Sequence, residues 1–289
     1  MSKVKIITDS NSGILQSEAE KLGLKVVPMP FTINDEEYFE EITLSQEKFY
    51  DLLKLDPNVN TSQPSPGYLQ DLWEEALKEY DEIVFIPMSS GLSGTCQTAN
   101  FLSQQYDGKV QVVDNKRISI CQKESVFEAL ALAKLGKSAK EIKEYLESTS
   151  HLSSVYIILS TLKYLKKGGR ISPAAATLGA MLKIKPILSS RGGKFERFAM
   201  ALTPSQAKKK VLQQIKSELE NEFAKEYKNG KMTISLAHTN NEEEALKFKE
   251  EVLETFPNLT FKYVDPLSLS VSCHIGPGAL GIALAVNNF

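Results

Sequence analysis

The chain has 289 residues, 42% hydrophobic and 24% charged, which suits a globular protein with one large core or two ordinary ones and not a disordered chain. A formal net charge of −2 offers no bulk attraction to nucleic acid or an anionic membrane, and three scattered cysteines without CxxC spacing fit neither a disulfide framework nor a zinc site. No apolar run approaches the ~20 residues of a membrane span, and Met1-Ser2-Lys3 leads straight into a strand-like run without a signal-peptide pattern, so a cytoplasmic, soluble protein is expected.

Val4–Thr8 reads as a buried strand closed by Asp9-Ser10-Asn11-Ser12-Gly13, with a helix from Ile14 to Leu22 and Gly23 as its cap. Leu24–Pro30 and Phe31–Asn34 read as extended, because Pro28 and Pro30 oppose helix. Leu44–Leu55 has helical spacing. Asn60–Gly67 reads as a rigid polar turn; Ser65 is placed to cap a helix running to Tyr80, with Pro66 at its first position. The apolar run Ile83–Met88 stops at Ser89-Ser90-Gly91-Leu92-Ser93-Gly94, and a helical pattern starts near Thr95. Strand Val110–Val113, turn Asp114-Asn115-Lys116, helices Ile120–Leu135 and Ala139–Leu146, and strand Val155–Ser160 follow. This alternation predicts a doubly wound, mostly parallel sheet with its strand-to-helix turns gathered on one edge.

The second half reads differently. A basic-tipped hairpin surrounds Ser189–Lys194, an amphipathic helix spans Pro204–Tyr227, and strand Met232–Ala237, helix Glu242–Thr255 and strand Leu259–Val264 follow. Cys273-His274-Ile275-Gly276-Pro277-Gly278 then leads into an apolar run to Val286. The change of pattern divides the chain into two α/β domains, 1–155 and 156–289.

The chemistry is read from the polar turns at Asp9–Gly13, Thr61–Ser65, Ser89–Gly94 and His274–Gly278. The first three offer hydroxyls and backbone N–H groups but no lysine, and neither G-x-x-x-x-G-K-[ST] nor G-x-G-x-x-G is present. A neutral cradle at a helix start suits a carboxylate better than a triphosphate. Ser93 also begins a G-x-S-x-G elbow that fails at Thr95, leaving an Asp9–Ser93–His274 triad as the hydrolase or acyltransferase alternative. Arg170, after Gly168-Gly169, is either a fork for an anion or one half of a structural salt bridge. His274 is either a site residue or a satisfied strand end. With only three histidines, no metal cluster and no cofactor are expected.

ITDSNSG at 7–13, TSQPSPG at 61–67, SSGLSGT at 89–95, KKGGRIS at 166–172 and HIGPGALG at 274–281 together resemble the DegV family of bacterial lipid-binding proteins. The resemblance implies two α/β domains with a long-chain fatty acid, such as palmitate or oleate, in a tunnel between them. Thr61 and Ser93 would hold its carboxylate, with Ser62, Gly94, His274 and Arg170 around it. It also implies a non-enzymatic, monomeric carrier that presents the carboxyl group to a separate fatty acid kinase for acyl phosphate formation and phospholipid synthesis. Three positions depart from the family pattern. Leu202 stands where the family often has the arginine that docks the kinase, with Arg197 or Arg191 as substitutes. Cys96 replaces a frequent tyrosine, and Cys121-Gln122-Lys123 replaces the usual G-Q-G.

Overall fold

A computed structural model describes residues 2–176 and 184–288. They form two units, one running to His151 and including Ser268–Ser270, the other comprising Leu152–Leu267 and Val271–Asn288.

In the first unit, β1 (Val4–Asp9), α1 (Gln16–Leu22) and β2 (Lys25–Val27) open the chain. Three short strands, β3 (Phe31–Ile33), β4 (Glu36–Tyr38) and β5 (Val59–Thr61), form a small antiparallel sheet around α2 (Gln46–Leu53). Phe31 anchors it, meeting Phe49 edge-to-face at 5.6 Å between ring centroids. The chain continues through α3 (Pro66–Ala76), β6 (Glu82–Ile86), α4 (Thr95–Ser103), β7 (Val110–Val112), α5 (Ser119–Lys134) and α6 (Ala139–Ser148).

The main sheet has order β2-β1-β6-β7 and every neighbouring pair is parallel, as the alternating pattern predicts. Strand alternation splits its core into two layers. Ile6, Val84 and Ile86 join Val126, Ala129, Ile142 and Leu146 of α5 and α6 on one face. Ile7, Ile83 and Phe85 join Leu69, Trp73, Cys96 and Ala99 of α3 and α4 on the other. Helices therefore cover both faces, and the carboxyl ends of β1, β6 and β7 bring three loops to one edge.

The second unit contains β8 (Ser153–Ile158), α7 (Lys163–Gly168), α8 (Pro173–Ala176), β9 (Lys185–Ser190), β10 (Glu196–Ala201), α9 (Pro204–Glu220) and α10 (Ala224–Lys228). Then come β11 (Met232–His238), α11 (Glu242–Thr255), β12 (Thr260–Pro266), α12 (Leu269–Ile275), whose first two residues belong to the first unit, and β13 (Leu280–Val286). Its six-stranded sheet, β10-β9-β8-β13-β11-β12, is antiparallel except for β11 and β12. Val211, Ile215, Phe248 and Val252 of α9 and α11 pack on Ile234, Leu236, Ile282 and Leu284.

Four local expectations are corrected. The stretch read as a rigid turn at Asn60-Thr61 is the end of β5, paired with β3 through Phe31–Thr61. The helix read from Pro204 to Tyr227 breaks after Glu220, where Asn221 turns its side-chain N–H₂ back onto Ser217 O at 2.7 Å. His274 lies near the end of a helix, not of a strand. The helix expected to run from Gly67 to Tyr80 ends earlier, at Ala76.

The chain has one tryptophan, so Trp73 fluorescence follows the first unit alone. Phe85 is fully buried and meets Trp73 at 6.0 Å. Phe85→Ala is expected to lower that unit's unfolding free energy by ~3–5 kcal/mol, read from the urea dependence of Trp73 emission.

Candidate functional site at the carboxyl edge of the parallel sheet

The strand order reverses direction between β1 and β6, the place where open α/β sheets form a ligand crevice. Here protein side chains fill that crevice. Thr8 Oγ1 donates to Ile86 O at 2.8 Å, and fully buried Asp9 accepts Met88 N–H (2.8 Å), Asn11 N–H (3.0 Å) and Gln122 Nε2 (3.0 Å). Gln122 reaches over from α5 and also donates to Ile86 O at 3.1 Å. Burial pushes the Asp9 carboxyl up to about 6, against the opposing pull of the donors from Met88, Gln122 and Asn11. Asp9 is thus a clasp joining two loops and a helix. All of these partners lie within the first unit.

The Ser89–Gly94 turn satisfies most of its own backbone. Ser89 N–H donates to Arg117 O, Ser90 N–H to Asp114 Oδ1, Gly91 N–H to Ser89 Oγ, and both Leu92 and Ser93 N–H groups to Ser89 O. Ser93 Oγ accepts Thr95 N–H at 3.2 Å and shares a 2.9 Å hydrogen bond with Thr95 Oγ1. The turn is therefore a rigid platform whose remaining donors lie at the start of α4, and it presents the half-buried Ser93 hydroxyl there.

The β5–α3 loop docks on the same helix start. Gln63 Oε1 accepts Thr98 Oγ1–H at 3.0 Å and lies 3.2 Å from where a Cβ on Gly94 would sit. The preceding residue, Ser62, donates its N–H to Pro30 O at 3.2 Å, so the loop is held from both sides. Ser65 caps α3 through Tyr68 N–H at 3.2 Å, and Pro66 occupies the first turn as read from the sequence. Thr61 at the end of β5, Ser62 just after it, and Ser93 and Gly94 are thereby held on two segments that touch through Gln63. Sequence reasoning passed over Gln63 although it lies inside TSQPSPG.

It also missed a cation. The turns themselves hold no lysine, but the β7–α5 loop supplies one: Lys116 Nζ donates to Ser90 Oγ and to Asp114 Oδ2, each at 2.5 Å. Lys116 has φ +60°, a left-handed conformation uncommon for a side-chain-bearing residue.

In the second unit Arg170 and His274 converge on one backbone position. Arg170 Nη1 donates to Gly168 O at 2.6 Å, and a Cβ on Gly168 would lie 1.9 Å from His274 Nδ1. Only glycine admits the imidazole so close to the chain. Burial, helped by the Arg170 charge, pushes His274 down to about 4, so the ring is neutral at pH 7 and Arg170 carries the local positive charge. Among the described residues no group of three or more His, Cys, Asp or Glu is arranged to hold a metal ion, and no helix is long and apolar enough to cross a membrane.

The chain matches the family model described as "Uncharacterised protein, DegV family" over residues 3–287. A DegV domain-containing protein of Staphylococcus aureus (strain N315) is 32% identical over 286 residues, covering 98% of this chain and 99% of the relative. Protein DegV of Bacillus subtilis (strain 168) is 33% identical over 283 residues, covering 96% and 98%. Among solved structures, a Thermus thermophilus DegV family protein described by its fatty acid binding superposes with a TM-score of 0.88 at 27% identity, covering 99% of this chain and 100% of that one. The structure of DegV from Bacillus subtilis, described as a fatty acid binding protein, gives a TM-score of 0.85 at 30% identity with the same coverage.

Two outcomes follow from this geometry. Gly168→Ala is expected to expel the imidazole into water and raise the His274 pKa from about 4 toward 6.5, read by NMR titration of the ring; an unchanged pKa would refute the close packing. Because the Asp9 carboxyl is raised to about 6 from 3.8, the folded chain holds that proton more tightly than the unfolded chain. This group's stabilisation is therefore full in acid and lost as pH rises from about 4 to about 6, a change on the order of 3 kcal/mol. The stability difference between the parent and Asp9→Asn should drift across that window in urea titrations and be flat above pH 7.

Proposed function

The chain belongs to the DegV family, and on that premise we propose that it binds a long-chain fatty acid such as palmitate or oleate. The Thr61 and Ser93 hydroxyls hold the carboxylate, with Ser62 and the Gly94 backbone beside them and His274 and Arg170 completing the head-group set. The observation that carries this reading is the Gln63 contact, which seats the Thr61–Ser62 loop on the Ser93–Gly94 turn at the start of α4. Short hydroxyls and helix-start N–H groups suit an anion with one unit of charge.

The acyl chain supplies most of the affinity in this reading. At ~0.8 kcal/mol per buried methylene, a sixteen-carbon tail contributes on the order of 10 kcal/mol before ordering costs. The head group then fixes direction, leaving the carboxylate as the reactive end. The chain is a carrier and has no chemistry of its own: on a partner fatty acid kinase, the carboxylate oxygen attacks the terminal phosphorus of ATP, a C(O)–O–P linkage forms and ADP leaves. Of the two arginines that could stand in for the docking residue, Arg191 is spent on Glu218 (2.6 Å) and Glu222 (2.8 Å). Arg197 is exposed and makes no ion pair among the described residues, so it is the one available to a partner.

Native mass spectrometry of the purified chain is expected to show one bound fatty acid; a chain that remains empty after incubation with palmitate and oleate refutes the reading. Thr61→Ala and Ser93→Ala should each weaken retention ~10-fold or more, the worth of one hydrogen bond to a charged group, in a fluorescent fatty acid displacement assay. With a matched kinase and ATP, the loaded chain should yield acyl phosphate, and Arg197→Ala should slow its formation without emptying the chain.

A further inference from the structure

The first unit contains a pocket of about 520 Å³, within the usual range for small-molecule sites. Its apolar walls come from Pro28, Pro30, Phe39, Ile42 and Tyr68, on the loop after β2, the segment after β4 and the start of α3. Ile42 and Tyr68 keep 54% and 42% of their surface exposed, so the pocket opens to solvent through apolar groups. Ser62, Gln63, Pro64 and Ser65 form another wall; Thr61, Ser93 and Gly94 are not part of the lining.

Glu37 is the single charged residue among those lining the pocket. It lies on β4, opposite Thr32 of β3, is exposed, and has no ion pair or hydrogen bond among the described residues. A fatty acid carboxylate placed there would meet a like charge without compensation. A cation would meet one carboxylate and two aromatic rings, Phe39 and Tyr68, and rings of this kind attract quaternary ammonium groups through their negative faces.

We propose that this pocket is a second ligand site, distinct from the carboxylate cradle, that takes a quaternary ammonium compound with a short apolar tail. The cationic group sits against Glu37, Phe39 and Tyr68, and the tail lies along Pro28, Pro30 and Ile42. Ser62 and Gln63 belong to both places, Gln63 lining the pocket while holding Thr98 and abutting Gly94, so occupancy of the pocket bears on the segment that follows Thr61.

The test compares octyltrimethylammonium, octanol and octanoate, which share a tail and differ in charge, by calorimetry on the full chain. The ammonium compound should bind most tightly, with octanoate at least fivefold weaker in the pocket. Glu37→Gln should cost the ammonium compound about fivefold, the factor that one charge pair ~4 Å apart in water supplies, and leave octanol unchanged. Tyr68→Ser, also at an exposed position, should weaken the ammonium compound further than Glu37→Gln does. Thr61→Ala and Ser93→Ala should change it by less than Glu37→Gln does, while native mass spectrometry of long-chain fatty acid retention independently tests the cradle. The proposal is overturned if the ammonium compound does not bind, if octanoate equals or exceeds it on the Thr61→Ala/Ser93→Ala chain, where the cradle no longer competes, if Glu37→Gln changes nothing, or if the cradle variants abolish its binding.

Discussion

The first unit depends on one buried carboxylate. Asp9 ends β1 at the position where an α/β sheet ordinarily leaves a crevice, and it spends both oxygens on the Met88 and Asn11 N–H groups and on the Gln122 amide. Removing an ionised carboxyl from water is unfavourable, and the raised pKa of Asp9 measures how incompletely three donors offset that loss. The three interactions join the loop after β1, the loop after β6 and helix α5, so the Ser89–Gly94 turn starts from a backbone that cannot drift. A ligand site built on such a turn is preorganised before any ligand arrives.

That preorganisation continues outward. The turn consumes its own N–H groups in hydrogen bonds to Ser89, Arg117 and Asp114, which leaves hydroxyls and the helix start as its outward chemistry. Lys116 braces the outer side of the turn through Ser90, and Gln63 links it to the β5–α3 loop. The second unit achieves a comparable effect by a different route: the missing side chain of Gly168 lets a neutral imidazole lie against the backbone while Arg170 grips the same residue's carbonyl. In both places, polar groups are fixed by contacts within their own unit.

Two features of the first unit differ in charge. Around Ser93 the outward groups are hydroxyls and N–H dipoles, while Lys116, bound to Ser90, is already paired with Asp114. In the pocket beside the small antiparallel sheet, the lone charge is Glu37 and the walls are proline and aromatic. Ser62 and Gln63 line that pocket, and Gln63 also meets Thr98 and Gly94 at the start of α4.

Much of this organisation was already legible in the sequence. The parallel sheet followed from apolar runs alternating with helical spacing, the start of α3 from Ser65-Pro66, and the family from five motifs in order, because each depends on residues adjacent in the chain. The strands β4 and β5 were invisible, since three residues carry no periodicity and their pairing partner, β3, lies up to 30 residues away. The Asp9–Gln122 clasp, the Lys116–Ser90 bond and the closeness of His274 to Gly168 join residues separated by 113, 26 and about 100 positions. No local pattern encodes such meetings. Which residue types stand at the ends of the strands is written in the chain; that Asp9 clasps two loops and a helix, that Arg191 pairs with Glu218 and Glu222 while Arg197 makes no ion pair among the described residues, and that a lysine reaches a turn that contains none were decided only by the tertiary structure, because hydrogen bonding and charge depend on distance in space.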